Sequence, residues 1–134
     1  MGDFTEEQVN NVWRKGRVVA GYDEDKYRFD EAGAMMIRDR YGIEDEYGWE
    51  IDHVFPKARL EKMRVPADEW DVSLNLQPLN AKNSASKNDD YPKYTACREY
   101  DFVTRSNKDV TKTVTVRPAT ATVLVALFKT KAVL

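Results

Sequence analysis

The stretch WEIDHVFP, residues 49–56, holds the one histidine of the chain, His53, directly after Asp52. An imidazole has an ordinary pKa near about 6.5, so at about pH 7 it is neutral enough to take a proton from water. A carboxylate beside it is the type of ligand that hard divalent ions prefer. Together the two types suit metal-assisted phosphodiester hydrolysis, which needs a base to activate water and a cation to stabilise the phosphoryl and leaving oxygens. His53 is the candidate general base. Taken alone, a histidine beside an acid is more often a satisfied or surface polar pair, so its context has to decide. One histidine excludes a metalloprotease of the HExxH type, which needs two.

The context lies downstream. NLQPL occupies residues 75–79, NAKNSASKNDD follows at 80–90, and DYP ends at Pro92. Asp-His before a Pro, then Asn-Leu-Gln-Pro-Leu, then a Lys and Asp-Tyr-Pro at this spacing resembles the HNH endonuclease superfamily. The resemblance covers roughly residues 10–92, more loosely over VWRKGRVVAGYDEDKYRFDEAGAMMIRDRYG, which is similar to the leader of a bacterial and phage subgroup. It implies a ββα-metal finger, two strands and a helix around one magnesium or manganese ion, acting on DNA. It also implies residue roles: Asp52 as metal ligand, Asn75 holding the catalytic loop and orienting His53, and Lys87, with Lys82, near the phosphate. Read blandly, the Asn is a turn residue and the Lys a solvated side chain of a polar helix.

The chain departs from the family pattern at the last metal ligand. Alignment on Asn75, Leu79 and Lys87 puts Ser84 where the family carries His or Asn, and Asn83 falls one residue early. One residue on a helix is a rotation of about 100°. Ser84 would ligate through its hydroxyl or a bridging water, since magnesium often keeps several waters. Metal ligation is thus expected from Asp52 with a contribution from Asn83 or Ser84. Zinc-supported branches carry cysteine pairs where this chain has Asn80 and Asn83, so structural zinc is not expected.

These residues need elements to position them. GWEIDHVF alternates as a strand does and stops at Pro56; NLQPL suits a short strand that Pro78 keeps at an edge or end. VPADEW reads as a helical turn, and NAKNSASKNDD as a short helix poor in strong helix formers. Upstream, TEEQVNNVWRKG has the Thr5/Gln8 capping-box spacing and a buried face of Val9, Val12 and Trp13. RVVAGYDEDKYRFD reads as a loop or brief strand. DEAGAMMIRDRYG reads as a second helix, capped by Asp30 and stopped at Gly42, with Met35, Met36 and Ile37 as core. DVTKTVTVRPATATVLVALFKTKAVL reads as one or two strands broken at Pro118, with Val123, Val125 and Leu127 on one face. A strand of that kind needs covering, internally or by a protein partner.

With 134 residues the chain holds one domain with appendages. The expected architecture is α+β: an HNH-like domain with a helical leader over residues 1–93, and a basic β-rich extension over 94–134. The net charge of −2 speaks against a strongly basic nucleic-acid binder, but its distribution is uneven. Residues 103–134 carry six cations and one acid, a net +5, and the remainder carries −7. No run of about 18 apolar residues suggests a membrane span. The acidic start MGDFTEEQ lacks the order of a secretion signal, and a single cysteine allows no internal disulfide. A cytoplasmic setting is the expectation. Two functions follow: an HNH nuclease, or an HNH-derived module that binds nucleic acid or protein with weak or no catalysis.

Overall fold

The computed structural model describes residues 4–133. In chain order its elements are α1 (Glu6–Trp13), β1 (Arg17–Val18), β2 (Tyr27–Phe29), β3 (Met35–Ile37), β4 (Trp49–His53), α2 (Lys57–Lys62), β5 (Leu76–Asn80), α3 (Ala81–Lys87), β6 (Lys93–Asp101), β7 (Ser106–Thr115) and α4 (Pro118–Lys131). Helices and separate antiparallel sheets make an α+β fold. The sheets are β1–β2–β3, β4–β5 and β6–β7.

At the N-terminus the Thr5/Gln8 signal forms as a reciprocal cap. Gln8 N–H donates to Thr5 Oγ1 at 3.1 Å, and Thr5 N–H donates to Gln8 Oε1 at 2.9 Å. The capped helix turns Val9, Val12 and Trp13 onto Met36, Trp49 and Leu76. This packing covers one side of the β4–β5 pair. The helix that directly follows β5, α3, packs against both strands and against β6.

Two expectations are corrected. Residues 30–42 do not form a helix. Asp30 instead caps a tight loop: its Oδ1 accepts Ala32 and Ala34 N–H at 3.0 and 2.8 Å, and its own N–H donates to Ala34 O at 2.8 Å. Gly33 takes φ +95°, which a helix cannot contain and glycine tolerates. The loop joins β2 to β3, and a short 3-10 turn over Arg38–Arg40 follows.

The second correction falls in 94–134. The strand expected before Pro118 forms, as part of β7, and pairs with β6, but the apolar stretch after Pro118 is the helix α4. Pro118 lies at the start of that helix, where its fixed φ and missing N–H are tolerated. The 3.6-residue period turns Leu124 and Phe128 inward and leaves Val123 50% exposed, so the alternating face does not exist. Leu124, Phe128 and Val116 share a core with Val54, Phe55, Leu60 and Val65. Those four residues belong to the β4–β5 connection, so α4 covers the segment that follows His53.

Candidate functional site

The β4–β5 ladder pairs Asp52 with Gln77 and His53 with Leu76. Successive side chains on a strand leave by opposite faces, and here the two acquire different partners. Asp52 Oδ2 accepts Gln77 Nε2–H at 2.9 Å and lies 3.2 Å from Lys87 Nζ. His53 Nε2 lies 2.6 Å from Asp71 Oδ1. The two side chains share no hydrogen bond; Lys87 links the Asp52 carboxylate to the His53 backbone, its Nζ also donating to His53 O at 3.0 Å.

Lys87 is fully buried, on the last turn of α3, with its ammonium 5.8 Å from the Tyr94 ring centroid. A buried ammonium and a buried carboxylate each need the other, because either alone would be an uncompensated charge. Burial pushes the Asp52 carboxyl above the ordinary aspartate range, and Lys87 and Gln77 oppose that rise.

Asn75 is fully buried at the far end of the β4–β5 connection. Its Oδ1 accepts Phe55 N–H at 2.7 Å, and its Nδ2 donates to Phe55 O at 3.2 Å and Trp70 O at 3.3 Å. Val54 N–H donates to Asn75 O at 2.8 Å. Asn75 thus fastens the two residues after His53 to the residues before β5, and holds the histidine through the backbone rather than by touching its ring.

The remaining sequence candidates lie elsewhere. Asn83 is fully buried, and its amide is committed to Asp30 Oδ2 at 3.0 Å, Arg98 O at 3.1 Å, and the N–H groups of Cys97 and Arg98, both at 2.9 Å. It is a structural hub residue and not a ligand partner of Asp52, which corrects the expectation. Its reach to Cys97 and Arg98 exploits the bulge in β6, where the ladder leaves those N–H groups to be satisfied. Ser84 is half-buried and lines a separate hollow with Glu44 and Glu50. Lys82 is also half-buried, and its charge acts on Glu46, whose carboxyl Arg98 chiefly holds low.

Three residues that complete the arrangement were not foreseen. Asp71 sits in the connection, 18 positions from His53, with no local pattern to announce it. Gln77 was legible in principle, since the register that opposes His53 to Leu76 also opposes Asp52 to Gln77. Asp30 read as a helix cap. Its Oδ2 instead accepts Asn80 N–H and Asn83 Nδ2–H, both at 3.0 Å, so one buried carboxylate ties the start of α3 to the β2–β3 loop. The same carboxylate thereby joins Asn80 to Asn83.

The donor set fits a hard divalent ion at one protein ligand. Both polar contacts of Asp52 use Oδ2, which leaves Oδ1, and magnesium is commonly bound through one or two carboxylates plus substrate phosphate and water. Among the described residues no group of three or more His, Cys, Asp or Glu side chains converges. No family model, curated protein or solved structure matches the chain.

Proposed function

We propose that the chain is a DNA phosphodiesterase of the HNH type, with β4, β5 and α3 as its ββα unit. The observation that carries this reading is the Asp52-His53 pair at the end of β4, held from three sides by Asn75, Asp71 and Lys87. A histidine kept only for packing would not need its backbone clamped, its ring nitrogen anchored and its carbonyl bonded to a buried ammonium.

The roles follow from the contacts. Neutral His53 carries its proton on Nε2, donating to Asp71, so Nδ1 is the free acceptor that takes a proton from the attacking water. Asn75 fixes the backbone on which the ring is mounted. Asp52 would hold a magnesium or manganese ion through Oδ1. Such an ion supplies positive charge to the phosphoryl and leaving oxygens. Lys87 keeps Asp52 and the His53 carbonyl at fixed separation.

Cleavage of supercoiled plasmid in manganese tests the reading. The parent is expected to nick it, and His53→Ala to lower the rate by about 10²- to 10⁴-fold, the usual contribution of a general base. No cleavage by the parent at high protein concentration would sink the proposal.

One observation favours a second reading, a binding or assembly module derived from the same unit. The Lys87 ammonium already neutralises Asp52. In that case the parent and His53→Ala bind DNA equally, and neither cuts it.

A further inference from the structure

A cleft of about 310 Å³ lies between β1, β5, the end of β7 and the start of α4. That is within the roughly 300–1,000 Å³ of small-ligand sites. Phe29, Leu76, Pro78 and Val114 give it apolar walls, and the adjoining Leu74 is 46% exposed. Three cations border it: Lys15, Arg17 and Arg117.

Their pairing is incomplete. Lys15 Nζ donates to the carbonyls of Ser73 and Leu76, and among the described residues no carboxylate lies within 4 Å of it. Arg17 Nη2 likewise donates to a carbonyl, that of Asp30, at 3.2 Å. Arg117 pairs with Glu31 at 3.1 Å while its side chain stays 69% exposed. The other acid of the lining, Asp30, is buried and spends its carboxylate on N–H groups. The border of the cleft therefore carries excess positive charge around an apolar interior, which fits a ligand with a flat apolar body and an anionic group. The cleft also adjoins the candidate site: Gln77 lines it and bonds Asp52, and Val54 lines it and follows His53.

We propose that this cleft is a nucleotide subsite. It takes one unstacked nucleotide, with the base against the apolar wall and the phosphate toward Lys15 and Arg117. Base faces accept apolar and aromatic surfaces irrespective of sequence, and arginine matches phosphate geometry. The inference rests on the polynucleotide-hydrolase reading for its choice of ligand, and it is tested separately from hydrolysis.

Calorimetric titration in EDTA with deoxyadenosine 5′-monophosphate, deoxyadenosine, inorganic phosphate and a single-stranded oligodeoxyadenylate is the experiment. The mononucleotide is expected to bind at least tenfold more tightly than nucleoside or phosphate alone. Arg117→Ala, at an exposed position, should weaken it about tenfold. Thr120→Trp, which fills the cleft from the first turn of α4, should abolish it with an unchanged circular dichroism spectrum. If only the oligonucleotide binds, with the same sensitivity to both variants, the occupant is a residue of the strand. If the mononucleotide binds as tightly, it is a free nucleotide; either result supports the subsite. No heat from either nucleotide probe at millimolar concentration would overturn it, as would affinity unchanged in both variants. Plasmid cleavage without nucleotide binding in EDTA overturns the subsite alone. Nucleotide binding without cleavage overturns the hydrolase reading alone.

Discussion

Asp71 is the partner of His53 Nε2. Donation of Nε2–H to its carboxylate would hold a neutral ring in one tautomer and leave Nδ1 free, the arrangement a base at Nδ1 requires. Asp71→Ala should lower the cleavage rate constant about 10- to 100-fold, the usual cost of losing such an outer partner, with little change in KM. Asp71→Asn keeps an acceptor and should retain more of the rate. The imidazole ¹⁵N shifts supply a readout that mere destabilisation would not move, because Asp71→Ala should lower the Nε2–H tautomer fraction; an unaltered tautomer would contradict the role. Lys87 offers a second test. Lys87→Met leaves Asp52 as an uncompensated buried charge and should cost about 3–5 kcal/mol in urea denaturation. Manganese should then raise the melting temperature of the variant more than that of the parent, because the ion no longer competes with an ammonium. Equal shifts would mean that Asp52 is not a ligand.

Elements reach the site because buried polar groups fasten short, weak pieces of secondary structure together. The seven-residue α3 is far below the length at which an isolated helix persists in water. It is held by Asn80 as cap, by Asp30 under its first turn, by Asn83 on the bulge of β6, and by Lys87 on β4. The Asp30 link has a pH signature. Burial raises its carboxyl above the ordinary aspartate value, although its four N–H donors oppose the rise, so the folded state keeps the proton to higher pH than the unfolded chain does. That contribution to stability is fully present below the unfolded aspartate pKa, and it is lost as pH rises through the higher native value. Asp52 shifts in the same direction. Urea midpoints taken from about pH 4 to about pH 7 should therefore fall more for the parent than for Asp30→Asn. Parallel curves would show that Asp30 titrates at its ordinary value.

For the whole molecule, about half of the cationic charge of 103–134 is paired internally. Of the six cations in 103–134, Lys112 pairs with Glu99, Arg117 with Glu31 and Lys131 with Glu69. Among the described residues, Arg105, Lys108 and Lys129 have no carboxylate within 4 Å, and all three are exposed. The cationic end thus docks on the acidic body and keeps about half its charge for a partner. Changing these three to Gln should flatten the dependence of log K for DNA on log salt by up to about 0.9 for each cation that no longer meets a phosphate, and Lys131→Gln should flatten it less. An unchanged slope in the triple variant would place DNA elsewhere. Removing the segment outright is no substitute, since Val116, Leu124 and Phe128 fill the core behind His53. Among the described residues no helix is long and apolar enough to cross a membrane.

The local signals in the sequence were sufficient where they agreed with the tertiary setting. The Thr5/Gln8 cap, the strand at WEIDH, the short strand NLQPL and the helix after it all form. They failed at Asp30–Gly42, where Gly33 and a carboxylate that caps a loop outweighed helix-like apolar spacing. They failed again at Pro118–Lys131, where a β-branched run became a helix because Leu124 and Phe128 had a core to enter. At the candidate site, sequence alone placed Asp52, His53, Asn75 and Lys87 within one motif. Only the tertiary structure assigned their partners, Asp71 and Gln77, and drew Asn83 away to Asp30. The physical reason is that a hydrogen bond across 18, 25 or 53 positions depends on where the chain returns, and residue types in a short window carry no record of that.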